Sequence, residues 1–204
     1  MKLIFATGNK GKLREAREIL GEGYEIISSS DAGITEDIAE TGSSFEENSI
    51  IKGEYIWNRC HCGCFSDDSG LEVDALGGAP DIYSARYAGE DKDFSRNIDK
   101  VLHELAILDA KALIEGKPAP SRKARFRCVV TLILDGTAHC FEGSLEGSIS
   151  YERSGNGGFG YDPIFIPDSY PDRSLAELSE DEKNAISHRG MALRRMTDYL
   201  RDMK

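Results

Sequence analysis

The sequence predicts an α/β protein built on a mixed sheet. Three observations support this prediction: a buried amino-terminal strand that passes through a glycine turn into a helix, further amphipathic helical segments, and a two-residue hairpin signal in the second half. With 204 residues, of which 40% are hydrophobic, the chain is long enough to bury a core. It has no internal repeat and no low-complexity tract, so we expect one domain over residues 1–204.

The first third of the chain predicts one strand and two helices. Residues 2–6 (KLIFA) are typical of a buried strand, and the apolar side chains of residues 13–20 fall on neighbouring faces of a helix. Ser43 and Ser44 are each followed three residues later by a glutamate, which is the spacing of a capping box at a helix start. We expect that second helix to end near Asn58.

The middle of the chain alternates strand-like residues with polar segments. Residues 62–66 lead into the very polar sequence Asp-Asp-Ser-Gly at residues 67–70, which predicts a turn. Residues 71–76 alternate like a strand, and Gly-Gly-Ala-Pro at residues 77–80 predicts a loop. We therefore expect the two aspartates to lie just beyond a strand end.

The second half supplies the remaining helices and the hairpin. Apolar side chains within residues 94–108 are spaced for one face of an amphipathic helix. The two prolines and the polarity of residues 116–123 (GKPAPSRK) predict an exposed connection, our candidate boundary between lobes. An Asp-Gly pair between residues 124–134 and 137–141 predicts an antiparallel hairpin. Residues 179–182 predict another capping box, and a last amphipathic helix follows.

Composition narrows the class of partner. The formal net charge of −11 argues against broad binding to DNA, RNA or an anionic membrane, because those surfaces attract clustered lysine and arginine side chains.

No apolar run approaches the roughly 20 residues that span a bilayer. The segment MKLIFATGNK lacks a signal-peptide cleavage site, so we expect a cytoplasmic protein. Five cysteines in a chain of this length predict reduced thiols rather than a disulfide framework.

The glycine turn after the first strand is a candidate anion site. A strand that ends in such a turn and opens a helix offers backbone N–H groups and the positive end of the helix dipole. Two lysines add positive charge. The segment is neither a P-loop nor a dinucleotide fingerprint, so a phosphate site and a plain structural turn are equal alternatives on these residues alone. The segment consists of Thr7, Gly8, Asn9, Lys10, Gly11 and Lys12.

The acidic pair Asp67 and Asp68 is a candidate metal site. Two adjacent carboxylates are costly to hold together unless a positive charge lies between them. Magnesium is bound in proteins by one or two carboxylates together with waters and substrate phosphates. A solvated acidic turn is the simpler alternative. Asn48 and Lys52 share one face of the second predicted helix, and a functional role for Lys52 requires that it turn toward Asp68.

Two further segments are candidate binding sites, and each also has a purely structural interpretation. Residues 155–163 place four glycines around two aromatic side chains, which suits a loop whose backbone approaches a flat ligand. A tight turn with two core aromatics is the alternative. His188 and Arg189 fall at a predicted helix start, where both can donate hydrogen bonds, and a surface pair is the alternative.

The cysteine-rich tract at residues 60–64 (CHCGC) invites comparison with a zinc site. Alternation along a strand would put its three cysteines on one side, and the usual gaps of two to four residues between zinc ligands are missing. The pattern therefore favours buried reduced thiols over a metal site.

Taken in order, six segments closely resemble the inosine triphosphate pyrophosphatase family, also described as the dITP/XTP pyrophosphatases. They extend from residue 6 to residue 193, and the ordered set is highly specific. The cysteine tract is the main departure from the family pattern, and it could make activity sensitive to oxidation. The matching segments are ATGNKGKLRE, ETGSSFEENSIIKG, SDDSGLEVDALGGAPDIYSARYAGED, ARFRC, GNGGFGYDPIFIP and ELSEDEKNAISHRGMAL.

The resemblance implies a magnesium-dependent hydrolase that cuts ITP, dITP or XTP to the monophosphate and pyrophosphate. It implies that the glycine-turn residues and Lys52 hold the triphosphate. Glu40 and Asp68 would bind magnesium with Asp67 nearby, and Asp68 would also be the general base. Ser69 would contact the substrate. The residues implied to enclose the purine are Phe159, which would stack on it, with Gly160, Tyr161, Asp162, Lys183, His188 and Arg189.

The family resemblance also implies an elongated mixed sheet flanked by helices, two lobes with the active-site cleft between them, and a homodimer. Two other functions remain as alternatives. One is a pyrophosphatase of modified pyrimidine triphosphates with a related two-lobed architecture. The other is a purine-nucleotide sensor that binds phosphate without cutting it.

Overall fold

The computed structural model describes residues 1–203. These residues form a six-stranded sheet in the spatial order β2-β1-β3-β4-β5-β6, flanked by five α-helices, so the predicted α/β fold is confirmed. None of these helices combines the length and the apolar character that crossing a bilayer requires. The strands are β1 (Lys2–Phe5), β2 (Glu25–Ser28), β3 (Cys64–Val73), β4 (Lys123–Leu134), β5 (Thr137–Ile149) and β6 (Phe165–Pro167). The helices are α1 (Lys10–Leu20), α2 (Phe45–Cys60), α3 (Phe94–Ile114), α4 (Glu180–Ile186) and α5 (His188–Asp202).

The sheet is mixed because its two halves are built differently. β1 pairs in parallel with β2 and with the first residues of β3. β4 and β5 are joined by Asp135 and Gly136, whose left-handed φ angles of 49° and 77° suit the predicted two-residue hairpin. β5 then pairs antiparallel with β6. The sequence did not predict β2 or β6, because strands of four and three residues carry little periodicity. β1 is equally short, but its apolar run directly before a glycine turn indicated a strand.

The chain forms two compact units that interleave along the sequence. The divisions fall inside β3, β4 and β5 and just before α5. The expected boundary at residues 116–123 is wrong, since that exposed connection lies wholly within one unit. Unit 1 comprises residues 1–69, 128–144 and 187–203, and unit 2 comprises residues 70–127 and 145–186.

Unit 1 packs helices on both faces of its strands. On one face, Leu3 and Phe5 of β1 and Phe65 of β3 pack with apolar side chains of α1 and α5. On the other face, Ile4 and Cys64 pack against α2. Successive side chains of a strand point to opposite faces, so neighbouring residues of β1 and β3 serve different layers. The same alternation sets the direction of every polar side chain farther along β3.

β3 runs straight through the sequence that predicted a turn. It extends without interruption from Cys64 to Val73, so the expected polar turn at residues 67–70 is wrong. Each aspartate in that stretch meets basic side chains on its own face, and their charges therefore do not interrupt the strand. The strand expected at residues 71–76 ends at Val73, and Asp74–Leu76 form a 3-10 helix.

The cysteine tract does not form a strand. Cys60 is the last residue of α2, two residues beyond the expected end of that helix, and His61 follows in a left-handed conformation with φ of 47°. Cys64 belongs to β3 and is buried, whereas Cys60 and Cys62 are half-buried. The expected alternation of three cysteines along one strand is wrong, because the chain turns at His61.

The buried thiols should resist alkylation in the native protein. Burial, with a contribution from Cys62, raises the pKa of Cys64 to about 12. Burial and the nearby Asp67 raise the pKa of Cys128 to about 12. Because the thiolate is the reactive form, iodoacetamide at mildly alkaline pH should spare Cys64 and Cys128 while labelling the exposed Cys140. Peptide mass spectrometry measures this, with denatured protein as the control, and labelling of Cys64 as fast as Cys140 would contradict it.

The predicted serine caps are confirmed at Ser44 of α2 and Ser179 of α4, whereas Ser43 bonds to Glu47 instead of Glu46. The hydroxyl of Ser44 accepts the N–H of Glu47 at 3.1 Å, and the Glu47 carboxylate accepts the N–H of Ser43 at 2.6 Å. Ser179 and Glu182 form a reciprocal capping box with N–H to oxygen distances of 2.9 and 3.2 Å. These bonds satisfy N–H groups that a helix start would otherwise leave without partners.

Unit 2 has its own apolar core around α3. Ile98, Val101 and Leu105 lie on the buried face of that helix, as predicted. Phe126 of β4 and Phe165 of β6 contact each other with ring centroids 4.7 Å apart. The glycine-rich loop at residues 155–163 belongs to the same unit.

Candidate active site

The predicted acidic pair lies in the middle of β3, in unit 1. Alternation points Asp67 to the face covered by α1 and α5, and Asp68 to the face covered by α2. The expectation that one positive charge lies between the two carboxylates is therefore corrected, because each carboxylate has its own basic partners. The candidate site consists of two groups of ion pairs on opposite faces of one strand.

Asp67 is enclosed by two cations. Its carboxylate accepts hydrogen bonds from Nζ of Lys12 at 2.9 and 3.1 Å and from Nε of Arg189 at 2.9 Å, and its side chain is 2% exposed. Burial alone would raise the pKa of Asp67, but Lys12 and Arg189 outweigh that effect and hold the pKa well below its ordinary value. Asp67 therefore stays ionised and fixes the positions of the Lys12 and Arg189 side chains.

Asp68 lies on the opposite face beside Lys52. Nζ of Lys52 is 3.1 Å from Asp68 and 2.5 Å from Glu40. Lys52 therefore turns toward Asp68, as a functional role for this lysine requires. Burial would lower the pKa of Lys52, yet the surrounding carboxylates, Asp68 foremost, raise it, so the ammonium stays charged. Burial raises the pKa of Asp68, Lys52 offsets part of that rise, and Glu40 adds to it.

The glycine turn after β1 opens α1, as predicted. Asn9 caps the helix, and its side-chain oxygen accepts the N–H groups of Gly11 at 2.8 Å and Lys12 at 3.2 Å. Two of the donors that the turn was expected to offer an anion are therefore already bonded, and the Lys12 side chain is held in an ion pair. Gly8 and Lys10 are exposed, and a Cβ at Gly8 would meet nothing within 4 Å. The open space beside Gly8 leaves room for a ligand next to the backbone.

The start of α5 brings Arg189 to Asp67, with the half-buried His188 one residue earlier. Ser187 caps this helix and donates its hydroxyl to Glu15 of α1 at 2.9 Å. Glu15 also accepts a hydrogen bond from Arg189 at 3.2 Å. Glu15 is thus a site residue that was not predicted, although it is the last residue of the matching segment ATGNKGKLRE. Its position three residues after Lys12, on the same face of α1, was the available signal.

Two hydroxyl side chains complete the predicted residues of unit 1. Thr7 is buried, and its hydroxyl accepts the N–H of Asn9 at 3.1 Å, so it shapes the turn before α1. Ser69 lies two residues beyond Asp67 on the same face of β3, with its hydroxyl 3.5 Å from Arg189. Ser69 therefore belongs to the group of charges around Asp67, whereas Thr7 belongs to the turn.

Close packing of β5 on α5 requires glycine at position 143. A Cβ there would overlap the carbonyl oxygen of His188 and lie 2.8 Å from the amide nitrogen of Ala192. We predict that Gly143→Ala displaces the start of α5 and destabilises the fold by about 1–3 kcal/mol through overpacking. Thermal unfolding followed by circular dichroism measures the change. Thr137→Ala, at the exposed start of β5, is the control, and equal melting temperatures for the two variants would contradict the prediction.

In unit 2, the glycine-rich loop is organised around Asp162. This buried carboxylate accepts the N–H of Phe159 at 2.5 Å and forms an ion pair with Lys183 of α4. Gly158 has φ of 82°, and a Cβ there would overlap the Asp162 carboxylate, so the turn requires glycine. Asp162 therefore fixes both the loop backbone and a basic side chain that the sequence had grouped with it.

The two aromatic residues of the loop have opposite environments. Phe159 is 62% exposed, whereas Tyr161 is 3% exposed and donates its hydroxyl to the carbonyl oxygen of Ser84 at 2.8 Å. Gly160 between them has φ of 63°, which helps the chain to turn one ring outward and the other inward. Phe159 can offer its ring to a ligand, while the ring of Tyr161 belongs to the core of unit 2.

Glu40 and Asp68 are the pair of carboxylates best suited to a hard cation. Both approach the ammonium of Lys52, so their oxygens converge on one small region. Within residues 1–203, no group of three or more histidine, cysteine, aspartate or glutamate side chains is arranged to hold a metal ion. Magnesium needs only one or two carboxylates besides water and substrate oxygens. Glu40 and Asp68 therefore fit magnesium as a partial set of ligands.

Fold and site together define an α/β enzyme. Buried charges are costly, and a network of carboxylates, lysines and an arginine within one unit is more typical of a catalytic site than of a structural core. The sequence model of the Ham1 family matches residues 3–199. The chain belongs to the Ham1 family.

Relatives and solved structures agree with this membership. The dITP/XTP pyrophosphatase of Christiangramia forsetii is 45% identical over 98% of this chain and 99% of its own length. The dITP/XTP pyrophosphatase of Bacillus subtilis is 47% identical over 97% of this chain and 96% of its own. The solved structure of the Staphylococcus aureus Ham1 protein matches with a TM-score of 0.87 at 38% identity, covering 100% of both chains. A HAM1 protein from Coxiella burnetii matches equally well, with a TM-score of 0.87 over 99% of both chains.

Proposed function

We propose that this protein hydrolyses aberrant purine nucleoside triphosphates, such as ITP, dITP and XTP, to the monophosphate and pyrophosphate. The observation that supports it most is the unit 1 cluster, in which basic side chains from three helices meet Asp67 and Asp68 of β3. The chain is also nearly half identical to proteins named dITP/XTP pyrophosphatase. Hydrolysis of such nucleotides would keep them out of DNA and RNA.

Magnesium is the proposed cofactor, with Glu40 and Asp68 as its protein ligands. When bound, it would neutralise phosphate oxygens and stabilise the charge of the departing pyrophosphate. The local charges favour such a cofactor, because the cluster holds four carboxylates against three basic side chains and does not by itself neutralise a triphosphate. The carboxylates are Glu15, Glu40, Asp67 and Asp68, and the basic residues are Lys12, Lys52 and Arg189.

Asp68 is the proposed general base. Cleavage between the α and β phosphates needs an oriented water, neutralised oxygens and little else from the protein. Lys52 lies 3.1 Å from the Asp68 carboxylate and holds it in place, so this group can orient the attacking water and accept its proton. Lys52 orients Asp68 and contacts the phosphates. The remaining phosphate contacts are proposed for Thr7, Gly8, Asn9, Lys10, Gly11 and Lys12.

Selectivity is proposed to come from hydrogen-bond donors at the base. Hypoxanthine and xanthine carry an oxygen at C6, where adenine carries an amino donor. Donors from Lys183, His188 and Arg189 would therefore face a second donor in ATP, a mismatch that can cost several orders of magnitude in kcat/KM. Phe159 stacks on the base, Asp162 holds Lys183 in place, and Ser69 contacts the substrate. GTP shares the C6 oxygen, so its rejection must come from its C2 amino group.

A substrate panel tests this proposal. We expect pyrophosphate release from ITP, dITP and XTP with kcat/KM at least about 100-fold above that for ATP or GTP. A preference for dUTP, UTP or methylated pyrimidine triphosphates would instead identify a pyrimidine-nucleotide pyrophosphatase. Tight binding of ITP without turnover would identify a nucleotide sensor.

We also propose a homodimer that acts on free nucleotides in the cytoplasm without a nucleic-acid or membrane partner. The family resemblance supports the dimer, and the net charge of −11 supports the absence of nucleic acid. Sedimentation velocity should give twice the mass of one chain. A monomer at micromolar concentration would contradict the dimer.

A further inference from the structure

The exposed ring of Phe159 has an aromatic neighbour on a different element. Phe94, the first residue of α3, contacts it with ring centroids 4.3 Å apart and an interplanar angle of 61°. Both residues belong to unit 2. Such tilted pairs are attractive beyond the apolar area that they bury, because the positive edge of one ring meets the negative face of the other. No motif in the sequence connects α3 with the glycine-rich loop.

The backbone of Phe159 is fixed by bonds that do not restrain the torsion angles of its side chain. Its N–H donates to Asp162 at 2.5 Å, and Asp162 is itself paired with Lys183. Positive φ angles at Gly158 and Gly160 hold the turn on either side. Backbone hydrogen bonds do not restrain side-chain torsions, so the direction of the ring depends on what the ring packs against.

A groove of about 250 Å³ lies beside this pair of rings. Its walls include both rings, Ile98 of α3, Arg153 and Pro163. Because Phe159 is 62% exposed, turning its ring into a wider groove would remove apolar surface from water and would be favourable. Truncating Phe94 widens the groove on the side next to the ring. The Phe94 side chain therefore opposes the inward rotation of Phe159.

We infer that Phe94 is a positioning residue that holds the ring of Phe159 outward, in the orientation in which that ring stacks on the purine. This inference rests on the proposed function, since it requires Phe159 to bind the base. Phe94 acts through Phe159 and need not touch the substrate. It therefore affects how well the base is held, while the groups proposed to cut the triphosphate lie in unit 1.

Steady-state kinetics with ITP distinguish a positioning role of Phe94 from a general loss of folded structure. Phe94→Ala should raise KM by roughly 3- to 10-fold, the loss expected for one aromatic contact, and should leave kcat within about 2-fold. Phe94→Tyr keeps the ring and should restore KM to nearly the wild-type value. Ile107→Ala is the matched control, because it shortens a half-exposed side chain on the same helix and should leave both constants unchanged. Circular dichroism melting curves establish that each variant is folded.

A double-variant cycle tests whether Phe94 acts through Phe159. Phe159→Ala should raise KM by itself. In that background, Phe94→Ala should change KM by less than about 2-fold, because no ring remains to be held. Independent, multiplying effects of the two substitutions would overturn the inference.

The remaining outcomes distinguish this inference from the proposed function. If the wild-type protein hydrolyses ITP and Phe159→Ala raises KM while Phe94→Ala does not, the inference is wrong and the proposed function stands. If Phe159→Ala leaves KM unchanged, there is no stacking ring to position and the inference is wrong. If the wild-type protein does not hydrolyse ITP, both are wrong.

Discussion

Asp68→Asn should lower kcat for ITP hydrolysis by about 10³-fold, within the range measured for general acid–base groups. The amide has nearly the same shape, but it cannot take a proton from water and is a poorer ligand for magnesium. The ammonium of Lys52 keeps its contact with Glu40 at 2.5 Å, so the variant should remain folded. Pyrophosphate release at saturating ITP and Mg²⁺ measures kcat.

An aspartate outside the cluster provides the control for that variant. Asp198 lies on α5 in the same unit, and its side chain is 70% exposed and pairs with Arg201. Asp198→Asn makes the same chemical change and should keep wild-type turnover, since exposed ion pairs contribute little. If Asp68→Asn retained kcat within about tenfold of the control, Asp68 would have to be removed from the mechanism.

Asp67→Asn should cause the largest loss of stability, about 3–5 kcal/mol, the cost typical of breaking a buried ion pair on one side. The wild-type carboxylate is 2% exposed and bonds to Lys12 and Arg189. A neutral amide leaves both cations facing a group that cannot compensate their charge. Urea unfolding measures the free energy, and turnover should fall as well because the two cations lose their fixed positions.

The loss of stability should be less than additive when Arg189 is replaced together with Asp67. Arg189→Met removes the guanidinium but keeps an apolar side chain of similar length, so the double variant leaves one cation, Lys12, facing the amide instead of two. We expect the double variant to lose clearly less stability than the sum of the single variants. Additive losses would show that Asp67 and Arg189 are not energetically coupled.

Local signals predicted the elements whose determinants lie close together in sequence. The Asp135-Gly136 hairpin, the Ser44 cap and the apolar face of α5 each depend on residues a few positions apart. The error at residues 67–70 has the opposite origin. Four polar or flexible residues in a row indicate a turn unless distant partners neutralise them, and Asp67 is neutralised by Lys12, 55 residues away. Local patterns cannot contain that information.

The same distinction applies to the site. Lys52 was identified as a conditional candidate because its position on α2 was predictable, and its contact with Asp68 follows from the adjacent packing of α2 and β3. Glu15 was missed because its partner Ser187 lies 172 residues away and α1 meets α5 only in the folded chain. Phe94 was missed for the same reason, since its contact with Phe159 joins a helix start to a distant loop.

The proposed catalytic mechanism requires metal-dependent hydrolysis between the α and β phosphates of a purine nucleoside triphosphate. Product analysis by anion-exchange chromatography tests this directly, with ITP as the substrate. In the presence of Mg²⁺, the protein should produce IMP and pyrophosphate in equal amounts, and excess EDTA should stop the formation of both. IDP with orthophosphate, or hydrolysis undiminished by EDTA, would contradict the proposal.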